Sequence, residues 1–252
     1  MQVVGYERAT SPEDVATLLL ASDGRVERQP LAPGTDLAYT LGSRHCAGAV
    51  DGETHYPCEE TAAPYCPTHT ETWVCARCTG TCLKDEMDCH QEHAIYLAAF
   101  APRTFKVGVT RRDPTVRLRE QGADRAAHVE TAPDGRLARE REAEIARTVG
   151  DRVRVPTKVR GLHETVDEDA WHDLLAGFEP LAEYAFDYGL DLAAQPVPET
   201  LATGTVRGTK GRILVLDRNR ETYAVDMRDL VGYELTAGAS TRELQASLGS
   251  FE

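Results

Sequence analysis

The chain has 252 residues, 41% of them hydrophobic, which is long enough for one large domain or two to three small ones with real cores. Its formal net charge of −13 at pH 7 speaks against a polyanionic partner in general, because such binding is driven by cations that displace condensed counterions. No apolar run approaches the ~18 residues of a membrane span, and Met1 to Arg8 lacks the basic and apolar segments of a secretion signal, so a cytoplasmic protein is expected.

Two details qualify the charge. Of 28 cationic residues only four are lysines (Lys84, Lys106, Lys158, Lys210), and this arginine bias beside abundant Asp and Glu looks like a halophilic, salt-adapted composition, in which acidity serves bulk solubility. The charge is also uneven. Between Arg103 and Arg125 seven cations (Arg103, Lys106, Arg111, Arg112, Arg117, Arg119, Arg125) face only Asp113, Glu120 and Asp124, a locally basic window suited to DNA or RNA phosphates.

Residues 1–44 mix strand-like pieces, Met1 to Tyr6 and Leu37 to Leu41, with a predicted helix over Val15 to Leu20. For that helix Ser11-Pro12-Glu13-Asp14 offers a cap, a proline and acids. Residues 45–93 then carry all seven cysteines, with His45, His55, His69, His90 and His93 among them and few aliphatics to build a core. Metal cross-links would supply what packing does not.

Zinc takes four tetrahedral thiolate or imidazole ligands, often as pairs two residues apart on a tight turn. Cys75-Ala-Arg-Cys78 and Cys66-Pro-Thr-His69 both have that spacing. The grouping expected is Cys46, Cys58, Cys66 and His69 for one structural zinc, and Cys75, Cys78, Cys82 and Cys89 for a second, with His45 or His90 as rival ligands. An odd cysteine count without a secretion signal disfavours a disulfide framework. Iron–sulfur ligation and a redox Cys75-x-x-Cys78 are the remaining readings of the same thiols.

From Ala94 the pattern changes. Ile95 to Phe100 and Phe105 to Thr110 read as a hairpin, Val116 to Gln121 and Leu137 to Val149 as helices, and Trp171 to Leu181 as another helix ending near Pro180. Ala193 to Glu199 reads as a linker. Beyond it, Gly204 to Gly208, Arg212 to Asp217, Thr222 to Asp226 and Tyr233 to Thr236 read as brief strands of a small β unit. His128, His163 and His172 lack partner spacing, and the glycines around Lys210 lack that of a phosphate loop.

The order Ile95-Tyr96-Leu97, then Lys106-Val107-Gly108, Thr110, Arg117 and a later helical glutamate resembles the GIY-YIG nuclease core. That family hydrolyses phosphodiesters with a strand tyrosine, a Tyr-Ile-Gly strand, a helical arginine and a metal-binding glutamate. The resemblance implies such roles for Tyr96, Arg117 and Glu142, with Glu140 and Glu144 as rivals, and Mg2+ or Mn2+ at Glu142. The matching glycine is Gly108. Lys106 stands where the second tyrosine would be, and Gln121 where a histidine is frequent. A second resemblance covers residues 40–155. Cys89-His90-Gln-Glu-His93 before Tyr96, Lys106-Val-Gly-Val-Thr110-Arg111 and Gln121-Gly122-Ala123 are similar to an uncharacterised zinc-containing family, domain of unknown function 2797. It implies an architecture and no mechanism; on it the Gln121-Gly122-Ala123 turn could bind a ligand through backbone amides, but Gly122 reads more readily as a plain helix C-cap.

The expected fold is α+β: an N-terminal segment (1–44), a two-zinc module (45–93), a GIY-YIG-like hairpin–helix domain (94–192) and a small β unit (193–252). The expected function is nucleic-acid binding, with phosphodiester cleavage at Tyr96, Lys106, Arg117 and Glu142. The competing reading is a non-catalytic zinc-stabilised binding or scaffold protein.

Overall fold

The computed structural model describes residues 1–70 and 90–240, which fall into two units: Met1–Thr70 with Tyr188–Glu252, and Glu71–Asp187. The architecture is mixed α+β and strand-rich, and no helix among the described residues is long and apolar enough to cross a membrane. Cys75, Cys78, Cys82 and Cys89, the second expected zinc group, lie outside the described residues.

The first unit begins with β1 (Gln2–Glu7), β2 (Thr17–Ser22), β3 (Arg25–Pro30), β4 (Asp36–Arg44), β5 (Ala49–Asp51) and β6 (Thr54–Tyr56). After the second unit it resumes with β11 (Val197–Pro198), β12 (Ala202–Lys210), β13 (Ile213–Arg218), β14 (Glu221–Asp226), the short helix α5 (Met227–Leu230) and β15 (Tyr233–Ala237). Together the strands make one sheet ordered β11-β14-β13-β12-β4-β15-β1-β2-β3-β6-β5, antiparallel apart from the β11/β14 pair. Segments 1–44 and 193–252, read separately in the sequence, thus share a sheet through the β4/β12, β4/β15 and β1/β15 pairings.

The helix expected over Val15 to Leu20 is instead strand β2. The reason is the dipeptide that follows. Asp23 and Gly24 sit at φ 52° and 76°, the left-handed pair a two-residue hairpin needs, and Ser22 pairs directly with Arg25. That hairpin lays Leu18 and Leu20 into a core with Val3, Leu37, Leu214, Leu216 and Met227, a cross-strand gain that outweighs a local capping signal.

In the second unit β7 (His93–Phe100), β8 (Thr104–Thr110), β9 (Arg125–Ala132) and β10 (Ala182–Ala185) form an antiparallel sheet ordered β10-β9-β7-β8. Four helices accompany it: α1 (Pro114–Gln121), α2 (Gly135–Val149), α3 (Val155–Arg160) and α4 (Glu168–Leu175). β7 is buried on both faces, which explains its near-continuous apolar run. Ile95, Leu97 and Ala99 meet Ala138 and Ile145 of α2 and Trp171 and Leu175 of α4, whereas Tyr96, Ala98 and Phe100 meet Leu118 of α1.

α1 starts with Asp113, whose carboxylate accepts from the Thr115 amide at 2.7 Å, and ends with Gly122 in the left-handed region at φ 72°. Gln121-Gly122-Ala123 is therefore a helix C-cap. The helix expected over Trp171 to Leu181 stops at Leu175, where the Gly177 and Phe178 amides fold back in tight turns onto Leu174 O and Leu175 O, and by Leu181 the backbone amide donates to His128 O at the start of the β10/β9 pairing.

Candidate metal centre and the hairpin cluster

The first group of cysteines is assembled by turns at the end of the first unit's N-terminal strands. Cys46 follows β4, Cys58 follows β6, and Cys66-Pro67-Thr68-His69 folds into a turn in which the His69 and Thr70 amides both donate to Cys66 O, at 3.0 and 2.9 Å. That turn brings His69 Nδ1 to 3.3 Å from Cys66 Sγ and 3.4 Å from Cys46 Sγ. Gly48 is needed for the approach: at φ +69° a Cβ there would stand 2.1 Å from Tyr56 O. Cys46 and Cys66 are buried, and no disulfide joins the three cysteines.

The ligand atoms of Cys46, Cys58, Cys66 and His69 all lie within 4.8 Å of one another. Tetrahedral zinc would hold a sulfur and a nitrogen about 3.6 Å apart, so the donor set is compatible in chemistry and spacing and could hold a metal ion, consistent with zinc. Two of the sulfurs have polar surroundings suited to a cation, while at Cys58 a hydrogen bond from the Glu60 backbone is outweighed by burial and by the neighbours Cys46 and Cys66, which shift its thiol upward. The Gly48 and Cys66 amides donate to Cys46 Sγ at 3.4 and 3.2 Å. At Cys66, burial opposes ionisation but is outweighed by hydrogen bonds from the His69 backbone and ring, leaving the thiol at about 6.

The rival His45 is engaged elsewhere. Its Nδ1 donates to Cys58 O at 2.9 Å and its Nε2 to Glu234 at 2.9 Å, and the Glu234 carboxylate raises its pKa. His45 therefore braces the Cys58 loop from outside. His55 donates to Ala47 O at 2.8 Å and is buried, a structural role no spacing rule announces. His90 is described but stands outside the Cys46 cluster, which is the only set of three or more potential metal-binding side chains grouped in this way among the described residues.

The second constellation lies in the other unit. Tyr96 of β7 pairs directly with Gly108 of β8, and Ala98 with Lys106, so Tyr96, Gly108 and Lys106 share one face. The phenol lies flat on the Gly108 backbone, where a Cβ would stand 2.5 Å from its hydroxyl oxygen. Lys106 Nζ stands 5.9 Å from the Tyr96 ring centroid. Gln121 Nε2 donates to the Tyr96 hydroxyl at 2.7 Å, and Lys158 Nζ donates to Gln121 O at 2.6 Å.

Arg117 on α1 and Glu142 on α2 complete the group, each close enough for its charge to act on both Tyr96 and Lys106. Burial raises the Tyr96 pKa and keeps the phenol protonated. Burial lowers Lys106 to about 8, with the Arg117 charge acting in the same direction and Glu142 against it. Tyr96 and Lys106 thus share one face of the hairpin, and the charges of Arg117 and Glu142 act on both from α1 and α2. The rivals Glu140 and Glu144 are instead tied to Arg136 and Arg141, each at 2.7 Å.

Arg117 and Glu142 also have internal partners. Glu142 accepts from Arg139 at 2.6 Å, and Glu120, buried, is held by Arg112 at 3.1 Å and lies 3.8 Å from Arg117. Elsewhere in the basic window Arg103 meets Asp167 at 2.6 Å and Arg125 meets Glu168 at 2.7 Å, while Arg119 lies over the Phe186 ring. Sequence reading counted these cations but missed Asp167 and Glu168, which stand more than forty residues downstream. It also missed Arg139 and Lys158, whose roles depend on packing.

No curated protein and no solved structure matches the chain. A family model does, over residues 35–235, from the strand that leads into Cys46 through the hairpin and its helices to the last strand. With most of its length so matched, the chain belongs to the family described as a protein of unknown function, DUF2797.

Proposed function

We propose that this is a zinc-stabilised, nucleic-acid-associated protein that cleaves phosphodiesters at a GIY-YIG-like site made by Tyr96, Lys106, Arg117 and Glu142. What supports the reading is that Tyr96 and Lys106 share one face of the β7/β8 hairpin and that the charges of Arg117 and Glu142 act on both. Arg117 would neutralise charge that builds on the phosphoryl oxygens, a role such donors fill best when already held in place. Here Glu120 stands 3.8 Å from Arg117 and draws it by charge rather than by a hydrogen bond. The Cys46–Cys58–Cys66–His69 zinc would be structural, since all four positions are taken by protein ligands.

Glu142 is a single carboxylate already paired with Arg139, and the described residues group no other acids beside it as a metal cage. It suits Mg2+ or Mn2+ only as one ligand among substrate phosphates and waters, the usual mode for Mg2+. Such an ion would supply charge neutralisation at the scissile phosphate. The test is divalent-dependent cleavage of single- and double-stranded DNA and RNA at high salt. The wild type should cleave, and Arg117→Ala and Glu142→Ala should each lose about two to three orders of magnitude in rate.

A second reading is a zinc-stabilised binding or scaffold protein without chemistry. The ion pairs Arg139–Glu142 and Arg117–Glu120 favour it, because they satisfy internally the charges a nuclease would offer its substrate. Retained nucleic-acid binding that weakens in Arg117→Ala, with no cleavage in any condition, would select it.

A further inference from the structure

We propose that Lys106 is the proton acceptor of this site, taking the proton from the attacking water in place of a tyrosine. The inference rests on the phosphodiesterase reading and names the group that makes the nucleophile. The phenol that could compete is badly placed for the task. Tyr96 is only 1% exposed, lies against Gly108 and receives a hydrogen bond from Gln121, so its oxygen is shut away from solvent.

Lys106 has the opposite situation. It is half-buried on the same face and reaches over the Tyr96 ring, and its amine has no hydrogen-bond or ion-pair partner among the described residues. The groups that face it are Tyr96 from β7, Arg117 from α1, Arg139 and Glu142 from α2, and Asp151 beyond α2. Partly withdrawn from water and without a salt-bridge acceptor, the amine gives up its proton more readily than a free lysine, with Arg117 and Arg139 favouring that loss and Glu142 and Asp151 opposing it. Its depressed value of about 8 agrees with that placement and lies near the range where a general base works best.

The step balances without any further reagent. The neutral amine takes one water proton and becomes an ammonium as the water oxygen bonds to phosphorus. The bond from phosphorus to the departing sugar oxygen breaks with its electron pair, and that oxygen takes a proton from solvent. Arginine at position 106 would keep the charge but could not accept the proton, which separates a base from a phosphate-binding cation.

The chain's scarcity of lysine makes the test direct, since only the Met1 amine and Lys84, Lys106, Lys158 and Lys210 would be labelled by reductive 13C-methylation. In NMR titrations assigned with Lys106→Arg, the Lys106 signal should turn over near pH 8, higher in Arg117→Met and lower in Glu142→Gln. In parallel, wild-type cleavage with Mg2+ or Mn2+ should climb with pH and level off near the same point. Lys106→Arg should lower kcat by about two to four orders of magnitude, with little change in KM. A wild type that cleaves while Lys106→Arg keeps both its rate and its pH limb would overturn the role of Lys106 and leave the nuclease reading standing. A wild type that cleaves nothing on the panel overturns that reading and this one with it, and a Lys106 titration near 10.5 in an active enzyme overturns this one alone.

Discussion

Replacing Cys46 by serine is the sharpest way to ask whether the first cysteine group is a metal centre. Cys46 Sγ is fully buried, receives two backbone N–H groups, and lies 3.4 Å from His69 Nδ1. If a zinc ion joins these ligands, it stabilises only the state in which they are assembled. At free zinc about 100-fold above the dissociation constant, one-site linkage yields about 2.7 kcal/mol. This corresponds to about 100-fold slower opening of the amides that the centre locks, and those amides can be named. Cys46 donates to Glu60 O at 2.8 Å, Ala47 to Pro64 O at 2.9 Å and Thr70 to Cys66 O at 2.9 Å. Hydrogen exchange at residues 46, 47 and 70 should therefore slow by about that factor on zinc addition to stripped wild type. Cys46→Ser should show no such slowing, and its zinc content should fall by one ion per chain, whatever the other four cysteines bind. Equal zinc content and equal zinc-dependent protection in the two proteins would refute the assignment.

Gly108→Ala should cost about 1 to 3 kcal/mol in denaturant unfolding, because the new methyl meets the Tyr96 ring and hydroxyl at 2.5 to 2.9 Å; an unchanged midpoint would mean the phenol does not lie where described. Trp171→Ala, which empties a nearly fully buried site against Phe105 (ring centroids 6.0 Å apart), should cost about 3 to 5 kcal/mol, and a loss below about 1 kcal/mol would contradict that packing. Lys106 has its own pH signature. Its folded value of about 8 lies below the ordinary 10.5, so over that window the unfolded chain binds the extra proton and stability rises with pH. Wild type should gain on Lys106→Met between about pH 8 and 10.5, and a stability difference flat across that window would remove the support for a depressed amine.

Much of this molecule is legible locally. The hairpin, its two following helices and the last four strands each declare themselves by period, cap or turn, and the spacing of Cys66 and His69 announces a ligand pair because one tight turn delivers both. The failures are equally physical. Ser11 to Asp14 reads as a helix start, yet the Asp23-Gly24 turn lets Leu18 and Leu20 bury across strands, and burial exceeds a cap in free energy. β9 and α3 pass unnoticed in the sequence because Arg125 to Ala132 carries mixed polarity and Val155 to Arg160 is short, so their places are set by neighbours.

Residue identity alone determined which groups could serve as metal ligands or meet a phosphate: three cysteines and a histidine in one segment, and a tyrosine, a lysine, an arginine and a glutamate strung along another. Only the tertiary structure decided which of them meet. Cys46 reaches His69 across a loop that Gly48 alone permits, the Glu142 charge acts on Tyr96 while Glu140 and Glu144 are tied to Arg136 and Arg141, and Asp167 and Glu168 return from far along the chain to occupy arginines that composition counts as free. The reason is range: a periodicity or a cap acts over a few residues, whereas the field at a side chain is set by whatever charge and whatever surface the fold brings within a few ångströms.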